Sequence, residues 1–373
     1  MKVLWITWKD HVHPAAGGAE VVARELTLRL AKEGHSVTIL TAKYPGAHAE
    51  VAADGITFIR LGGNRYILPI ILLWYYLRHL RNKYDVLIEE VQGAAPYFAV
   101  AFERRAKKYF FYHQLGRINW LYEVPKPFSY AGYWLFAPIA TRLASLTRAP
   151  VITVSQSTRN VLAGYGFKPE RTHIIAEGLH FKPLADVKQA AKYRQPTVLS
   201  FGAMRAMKRT LDQVKAFEIA RESMPNLCMK LAGDASGAYG QTVLNYIAQS
   251  PFRNNIEYLG RVDTAGKAEL MQRSHAILVT SVEEGWGLVV SEANVQGTPA
   301  VVYDVSGLRD STQDGETGIV TAENPTALAG GIVTLLSDPK TYSRLQENAW
   351  QWSKTLTFEQ SYKDFCKTTG VNA

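Results

Sequence analysis

The feature of this chain that most restricts its fold is a repeated alternation between short apolar runs and longer helical patterns. In the first half, KVLWIT precedes a helical pattern at about 18–33. Further strand candidates follow with longer segments between them: SVTILTA, ITFIRL, DVLIEEV, KKYFFYH, PVITVS and THIIAEG. Such alternation is typical of βαβ units in a parallel sheet. Beyond the middle of the chain it starts again, with TVLSFGAM, LCMKLAG, IEYLG, HAILVTS and PAVVYDV. The pattern therefore predicts an α/β chain with two doubly wound, Rossmann-like domains.

A polar segment separates the two series. Between Pro183 and Pro196, in KPLADVKQAAKYRQP, the apolar periodicity lapses, which favours a linker. Two doubly wound domains in tandem are expected to face each other across a cleft, with ligands beyond the carboxyl ends of the strands. The predicted divisions are a first domain over 1–182, a linker over 183–196, a second domain over 197–352 and a C-terminal helix over 353–373 that crosses back to the first domain.

Composition sets the broad class of protein. The chain is 47% hydrophobic and 20% charged, which is the balance of a globular protein. No run approaches the roughly 20 apolar residues of a membrane span, and the first residues lack the order of a signal peptide. These observations favour a cytoplasmic protein. Cys228 and Cys366 have no spacing that suggests a metal site or a disulfide, so both are expected to be reduced and structural.

The positive charge is concentrated in the first half. Residues 1–180 contain 22 Lys and Arg against 13 Asp and Glu, whereas residues 181–373 contain 20 of each. This asymmetry indicates an anionic partner, which is a membrane surface, an anionic substrate or a nucleic acid. The segments 65–85 and 104–136 combine cations with aromatic residues and suit an interface with anionic lipid. The competing interpretation is that 66–77 is a buried helix and that the aromatic residues belong to the core.

Two candidate sites lie in the first half. Gly17 and Gly18 follow the first strand through a loop and open a helix, where backbone N–H groups and the helix dipole favour a phosphate. An ordinary turn explains these glycines equally well. His113 ends the strand KKYFFYH, where it could accept a hydrogen bond from a substrate hydroxyl or polarise it. A lone histidine is also commonly structural.

Basic residues follow the first strand of the second half. Arg205, Lys208 and Arg209 come directly after TVLSFGAM and before a helix that begins near residue 210. Cations beside a helix N-terminus form a clamp for a pyrophosphate. A solvated basic loop is the alternative interpretation.

The stretch EEGWGLVVSE contains two carboxylates of particular interest. HAILVTS predicts a buried strand, so Glu284 lies in the loop at its carboxyl end, and Glu292 lies in the second turn of the next helix. Carboxylates accept hydrogen bonds from pairs of sugar hydroxyls. The glycines between them, Gly285 and Gly287, leave backbone N–H groups free to meet a ligand.

With these residues assembled, the whole chain resembles a retaining glycosyltransferase of the GT-B fold, in family 4, also called glycosyltransferase group 1. The most specific element is the E-x7-E pair, with GGAE and HQLG in the expected order. The resemblance implies that Glu292 holds the nucleotide ribose, that Glu284 lies against the donor sugar and that His113 touches that sugar near the reacting centre. It also implies that the donor sugar or its phosphates meet the residues Gly17, Gly18, Gly285, Trp286, Gly287 and Leu288.

One departure concerns the family's basic pair, an Arg after the strand-end glycine and a Lys five residues later. Lys208 matches, but Ala203 occupies the Arg position. We infer that Arg205 or Arg209 supplies the missing charge.

The resemblance implies transfer of a sugar from a UDP- or GDP-linked donor to an acceptor glycan or lipid-linked glycan, in the assembly of a cell-surface polysaccharide or glycolipid. His113, Glu284 and Lys208 are the expected catalytic residues. No metal or other cofactor is expected, because protein cations stabilise the leaving diphosphate. Attachment to the inner face of the cell membrane, as a peripheral protein, fits a lipid-linked acceptor.

Other classes of protein remain as alternatives. A phosphorylase of the same fold and a nucleotide-sugar-binding protein without activity share these motifs. A nicotinamide oxidoreductase shares the α/β alternation, but GGAE is not its glycine fingerprint. A nucleic-acid binder explains the charge, yet no recognised motif accompanies it.

Overall fold

A computed structural model describes residues 1–62, 64, 67–91 and 96–371. The chain divides into two compact units, described separately below. The first unit comprises Met1–Gly178 together with Thr357–Ala373, and the second comprises Leu179–Leu356. None of the described helices is long and apolar enough to cross a membrane.

The first unit is built on an eight-stranded sheet in the order β3-β4-β2-β1-β5-β6-β7-β8, parallel except for the β3–β4 pair. Its central strands are buried, as continuous apolar runs in a parallel sheet predict. The strands are β1 (Lys2–Ile6), β2 (Ser36–Ala42), β3 (Glu50–Ala53), β4 (Ile56–Leu61), β5 (Val86–Val91), β6 (Lys107–Tyr112), β7 (Val151–Thr153) and β8 (Thr172–Ile174).

Helices connect these strands. Two of them are extended by π-helical turns, at Tyr76–Leu80 and Gly132–Phe136. The helices are α1 (Gly18–Lys32), α2 (Leu68–Tyr75), α3 (Ala99–Phe102), α4 (Asn119–Glu123), α5 (Phe128–Ala131), α6 (Ala137–Leu146) and α7 (Gln156–Ala163). The loop after β1 is held by a buried ion pair, in which Arg60 Nε on β4 donates to Asp10 Oδ2 over 2.6 Å.

The second unit has a six-stranded parallel sheet in the order β11-β10-β9-β12-β13-β14. Its strands are β9 (Thr197–Phe201), β10 (Cys228–Ala232), β11 (Ile256–Tyr258), β12 (Ala276–Val279), β13 (Ala300–Tyr303) and β14 (Gly318–Thr321). Its helices are α8 (Thr210–Ser223), α9 (Ala238–Gln249), α10 (Thr264–Arg273), α11 (Leu288–Val295), α12 (Leu308–Ser311), α13 (Pro325–Ser337) and α14 (Pro339–Ser353).

The last helix, α15 (Phe358–Thr369), belongs to the first unit. Ser361 Oγ donates to the carbonyl of Ala176 over 2.6 Å. Gly178 lies so close to this helix that a Cβ there would come within 2.3 Å of the backbone nitrogen of Phe358. The segment after residue 356 therefore packs on the unit that contains the N-terminus.

The segment 183–196, which the sequence predicts as a linker, lies within the second unit. Lys192 fixes it there, because its Nζ donates to the carbonyls of Ser274 and Gly297, each over 2.7 Å, and to Thr298 Oγ1 over 2.8 Å. The sequence did not predict these contacts of Lys192. A lysine that donates to backbone carbonyls cannot be distinguished, from the sequence alone, from a lysine that is exposed to solvent.

The predicted alternation of strands and helices is confirmed in both units, with two strands that the sequence did not indicate. These are β3 and β14, whose sequences EVAA and GIVT are too short and too weakly apolar to be recognised. Both lie at edges of their sheets, where only one neighbouring strand constrains the sequence.

Candidate functional site

The second sheet changes its direction of winding between β9 and β12. These strands are adjacent, but β10 and β11 extend the sheet from one side and β13 and β14 from the other. The loops that follow β9 and β12 therefore leave in opposite directions and open a crevice, which is where open α/β sheets bind ligands. A small cavity lined by Gly202, Lys208 and Ser281 lies at this place.

Lys208 and Glu284 meet in this crevice. Lys208 Nζ donates a short hydrogen bond to Glu284 Oε1, and Ser281 Oγ donates to the same oxygen over 2.6 Å. Burial acts to raise the pKa of Glu284, but the charge and hydrogen bond of Lys208, the Ser281 bond and the charge of Arg205 lower it below the ordinary value. Glu284 is therefore held as a carboxylate.

The surrounding backbone fixes this pair in place. Thr280 Oγ1 donates to the carbonyl of Lys208 over 2.8 Å and accepts from Gln213 Nε2 over 2.8 Å. The N–H of Val282 donates to the carbonyl of Met207 over 2.9 Å. These bonds join the loop after β9 to the loop after β12, so Lys208 and Glu284 are held in place before any ligand arrives.

The Gly-Trp-Gly turn places the beginning of α11. Gly287 has a φ of 89°, which favours glycine. Trp286 is buried, and its Nε1 donates to Ser291 Oγ over 3.0 Å, so its indole stabilises the turn. What the turn can offer a ligand is its backbone, at buried Gly285 and at Leu288, where the first turn of α11 begins.

Glu292 lies in the second turn of α11 and is paired with Lys267 on α10. Lys267 Nζ is 2.7 Å from both carboxylate oxygens, and the two side chains are 21% and 20% exposed. The ammonium group also lies about 5 Å from the ring centres of Phe181 and Phe201. Sequence reasoning missed Lys267, because a lysine in a helix is usually a solvated residue.

The structure distinguishes the two candidates for the missing cation. Arg209 has a φ of 49°, and its Nη1 donates to Glu323 Oε2 over 2.6 Å. Arg205 is exposed in the loop, and its charge acts on Glu284. Arg205 is therefore better placed than Arg209 to act with Lys208. Ala203 is exposed between them and β9.

His113 lies in the first unit, directly after β6, between two buried carboxylates. Its Nδ1 is 2.9 Å from Glu177 and its Nε2 is 3.0 Å from Glu90 on β5, which also accepts a 2.6 Å hydrogen bond from Trp5 Nε1. Burial alone would lower the pKa of His113, but the hydrogen bonds and charges of Glu177 and Glu90 raise it to about 10. The ring is therefore an imidazolium at neutral pH.

This arrangement limits what His113 can do. Both N–H groups of an imidazolium are donors, and here both are used, so the ring has no acceptor for a substrate hydroxyl. A substrate that bonded to His113 would replace one of the glutamates. Contact with the donor sugar stays a prediction. Of the two partners, only Glu90 had a signal in the sequence, because two acidic residues inside the apolar strand DVLIEEV are unusual.

Gly17 and Gly18 begin α1, beyond the carboxyl end of β1. The Gly17 N–H donates to the carboxylate of Glu20, which also pairs with Lys9 Nζ over 3.1 Å. Glu20 thus occupies the anion position at this helix N-terminus. A diphosphate would compete with this carboxylate, so the predicted contact of the two glycines with the donor stays a prediction.

Within residues 1–62, 64, 67–91 and 96–371, no group of three His, Cys, Asp or Glu side chains is arranged to hold a metal ion.

Gly307, after β13, packs closely against the backbone of the loop that contains Glu284. It has a φ of 80°, and a Cβ there would come within 2.3 Å of the carbonyl oxygen of Glu284. Gly307→Ala is expected to lower the free energy of unfolding of the second unit by roughly 1–3 kcal/mol. Urea unfolding followed by circular dichroism measures it. Gly330→Ala in α13, where no atom lies within 4 Å, is the control and should be neutral or stabilising; equal stability of both variants would contradict the argument.

Comparison with known proteins identifies the class. The structure superposes on sucrose-phosphate synthase from Thermosynechococcus elongatus with a TM-score of 0.78 and 20% identity, covering 98% of this chain and 97% of that one. It also matches the Anabaena protein HepE in complex with UDP-glucose, with a TM-score of 0.71, 16% identity and full coverage of both chains. The fold is GT-B, as the sequence predicted.

Family models refine this result. Residues 16–181 match Glycosyltransferase Family 4, and residues 182–352 match Glycosyl transferases group 1. Because the two matches adjoin and together span most of the sequence, the chain belongs to the family 4 (group 1) glycosyltransferases.

Two curated relatives are also similar to this chain in sequence. N-acetyl-alpha-D-glucosaminyl L-malate synthase from Bacillus anthracis is 24% identical over 90% of this chain and 89% of its own length. D-inositol 3-phosphate glycosyltransferase from Corynebacterium glutamicum (strain R) is 28% identical over 48% of this chain, and the match spans only 41% of that protein.

Proposed function

We propose that the protein transfers a sugar from a nucleotide diphosphate sugar, UDP- or GDP-linked, to an acceptor hydroxyl with retention of the anomeric configuration. The observation that carries the proposal is the Lys208–Glu284 pair at the switch point of the second sheet, with Glu292 on the neighbouring α11. The UDP-glucose complex of HepE, which has the same fold, supports a UDP-linked donor.

In this proposal, the departing diphosphate is stabilised by protein cations. Negative charge grows on it as the glycosidic bond breaks, and Lys208, Arg205 and the N-terminus of α8 are the positive groups at this place. When the donor binds, the Lys208 ammonium group would release the Glu284 carboxylate and bind the diphosphate instead. Ser281 still donates to Glu284, so that carboxylate keeps its orientation and accepts hydrogen bonds from the donor sugar.

Glu292 is proposed to bind the two ribose hydroxyls. An ionised carboxylate offers about four acceptor positions, and Lys267 uses one on each oxygen. The remaining positions accept hydrogen bonds from vicinal hydroxyl groups. Lys267 neutralises the carboxylate and keeps it away from the diphosphate charge, which makes it a positioning residue for the nucleotide.

The acceptor is proposed to bind the basic first unit and to be a lipid-linked glycan at the inner face of the cell membrane. The sequence left open whether the segment around α2 is buried in the core or exposed to lipid. Helix α2 has both kinds of residue, because Leu68 and Leu72 are buried whereas Ile70 and Trp74 are 70% and 59% exposed. An exposed apolar face next to Arg78 and Arg81 suits contact with anionic lipid.

The first test is a binding screen with UDP, GDP, ADP and their common sugars, measured by thermal shift and calorimetry. One nucleotide is expected to raise the melting temperature. Glu292→Gln should weaken its binding at least about tenfold, because the amide has no negative charge and only one acceptor oxygen for the two hydroxyl groups. Glu257→Gln is the matched control, since Glu257 pairs with Lys230 on the opposite side of the sheet.

Two outcomes would redirect the proposal. If no nucleotide binds at millimolar concentration, the donor assignment fails. If sugar release depends on inorganic phosphate instead of a nucleotide sugar, the protein is a phosphorylase of the same fold.

A further inference from the structure

A cavity in the first unit lies away from the strand ends that carry Gly17 and His113. It has a volume of about 700 Å³ and is lined by α6, by the residues that follow α6 and by the loop between α7 and β8. Val151 and Thr172, the first residues of β7 and β8, form its floor. The cavity therefore opens at the amino ends of these strands, at the opposite edge of the sheet from His113. Its volume is in the range of roughly 300–1,000 Å³ that small-molecule sites have.

The walls of the cavity are mostly apolar. Ile139, Leu143 and Leu146 line it from α6, and Phe167 lines it from the loop. The three α6 residues are 48%, 49% and 74% exposed. Exposed leucine and isoleucine side chains that share one helix face and one cavity form an apolar site that no described part of the chain covers.

The helix that builds this wall is apolar on both faces. Ala137, Thr141 and Ala144 are buried, whereas Ile139, Leu143 and Leu146 are exposed. The preceding π-helical turn continues the outward face with Trp134 and Phe136, which are 68% and 58% exposed. A surface helix ordinarily shows polar residues on its outer side. The cavity thus opens onto an extended apolar surface.

Four cations surround this cavity: Arg142, Arg148, Lys168 and Arg171. All four are exposed, and none forms an ion pair with a carboxylate in the part of the chain that the structure describes. Arg171 Nη1 donates to the backbone carbonyl of Arg148 over 2.7 Å, so the guanidinium group of Arg171 is held beside the backbone of Arg148. Glu170 is the acidic residue of the lining loop. Arginine side chains at an apolar opening bind phosphate groups in a bidentate manner.

We propose that this cavity binds one acyl chain of an anionic phospholipid, with its phosphate held by Arg142, Arg148 and Arg171 and with Trp134 and Phe136 in the lipid interface. Charge complementarity selects this occupant, because an apolar cavity surrounded by cations that form no ion pair with a described carboxylate matches an amphiphile with an anionic head. The site anchors the first unit at a membrane surface. It does not depend on the proposed donor or on catalysis.

Vesicle sedimentation of the full chain tests the proposal. Binding is expected to vesicles of phosphatidylcholine and phosphatidylglycerol in equal parts, and weakly to phosphatidylcholine alone. The double variant Arg142→Glu and Arg148→Glu should reduce binding to the anionic vesicles at least about tenfold. The double variant Arg194→Glu and Arg253→Glu changes the charge equally on exposed arginines of the second unit and should bind as the wild type does. Equal loss in both variants would overturn the site.

A second experiment tests the acyl chain. Monomeric lysophosphatidylglycerol is expected to bind in calorimetry, whereas glycerol phosphate is not, and Ile139→Gln with Leu143→Gln should abolish the binding while the protein stays folded, because both residues are exposed. Equal binding of glycerol phosphate would reduce the site to an anion site and overturn the proposal. Concentration-dependent dimerisation that the same variant abolishes would assign the surface to a second copy of the chain instead.

Discussion

Replacing Lys208 with methionine is expected to lower kcat about 100- to 1,000-fold with the nucleotide sugar that binds the wild type. Lys208 is the cation at the centre of the crevice between β9 and β12, and methionine keeps much of its length without the charge. The loss should appear mainly in kcat, because negative charge grows on the diphosphate as the bond to the sugar breaks. Initial-rate kinetics with saturating donor measures it.

The same substitution should change the protonation of Glu284. In the wild type, Lys208 lowers the pKa of this carboxyl against the effect of burial. Without Lys208, burial raises the pKa, so Glu284 is expected to take up a proton at a higher pH than in the wild type. A carbon-detected NMR titration of the Glu284 side chain follows this change.

Lys230→Met serves as the control for Lys208→Met. Lys230 lies on β10, where it pairs with the exposed Glu257 on β11, and its removal should leave kcat unchanged. If Lys208→Met retained full kcat, cations other than Lys208 would stabilise the charge of the leaving diphosphate. The assignment of Lys208 as a catalytic residue would then be wrong.

Replacing His113 with leucine is expected to lower the free energy of unfolding of the first unit by about 3–5 kcal/mol at pH 7. His113 supplies the positive charge between Glu90 and Glu177, and all three side chains are at least nine-tenths buried. Leucine leaves two carboxylates without their cation, and Trp5 remains as a donor to one of them. Chemical denaturation that follows the transition of the first unit measures the loss.

The pH dependence of this effect has a defined sign. The folded pKa of His113, about 10, is higher than the 6.5 of a free histidine. Protonated His113 therefore contributes stability that is fully present below pH 6.5 and is lost as the pH rises towards 10. Proton NMR of the wild type should show no titration of this imidazole between pH 6 and 8, because those pH values lie well below its folded pKa.

His173→Leu provides the control for His113→Leu. His173 is an exposed residue of β8 in the same unit, and its replacement should change the unfolding free energy by less than about 0.5 kcal/mol. A titration of His113 with an ordinary pKa near 6.5 would show that the two glutamates do not hold it as an imidazolium.

Much of the fold followed from the sequence because fully buried parallel strands must be short apolar runs. The apolar residues of KVLWIT and HAILVTS are buried on both faces of the sheet, and such runs leave little choice of secondary structure. The positions of Lys208, Glu284 and Glu292 at strand ends and in the first turns of a helix followed from the same pattern, since loops after parallel strands gather at one edge of a sheet.

The partners of these residues did not follow from the sequence. Lys267 with Glu292, Ser281 with Glu284, and Glu90 and Glu177 with His113 are joined by the order of strands, which local patterns do not encode. The sequence by itself determined two α/β units and the chemical types of the candidate residues, because burial and helix periodicity are local properties. Only the tertiary structure decided that His113 is an imidazolium between carboxylates and that an apolar cavity lies beside α6, because charge state and cavity shape depend on side chains brought together from distant strands.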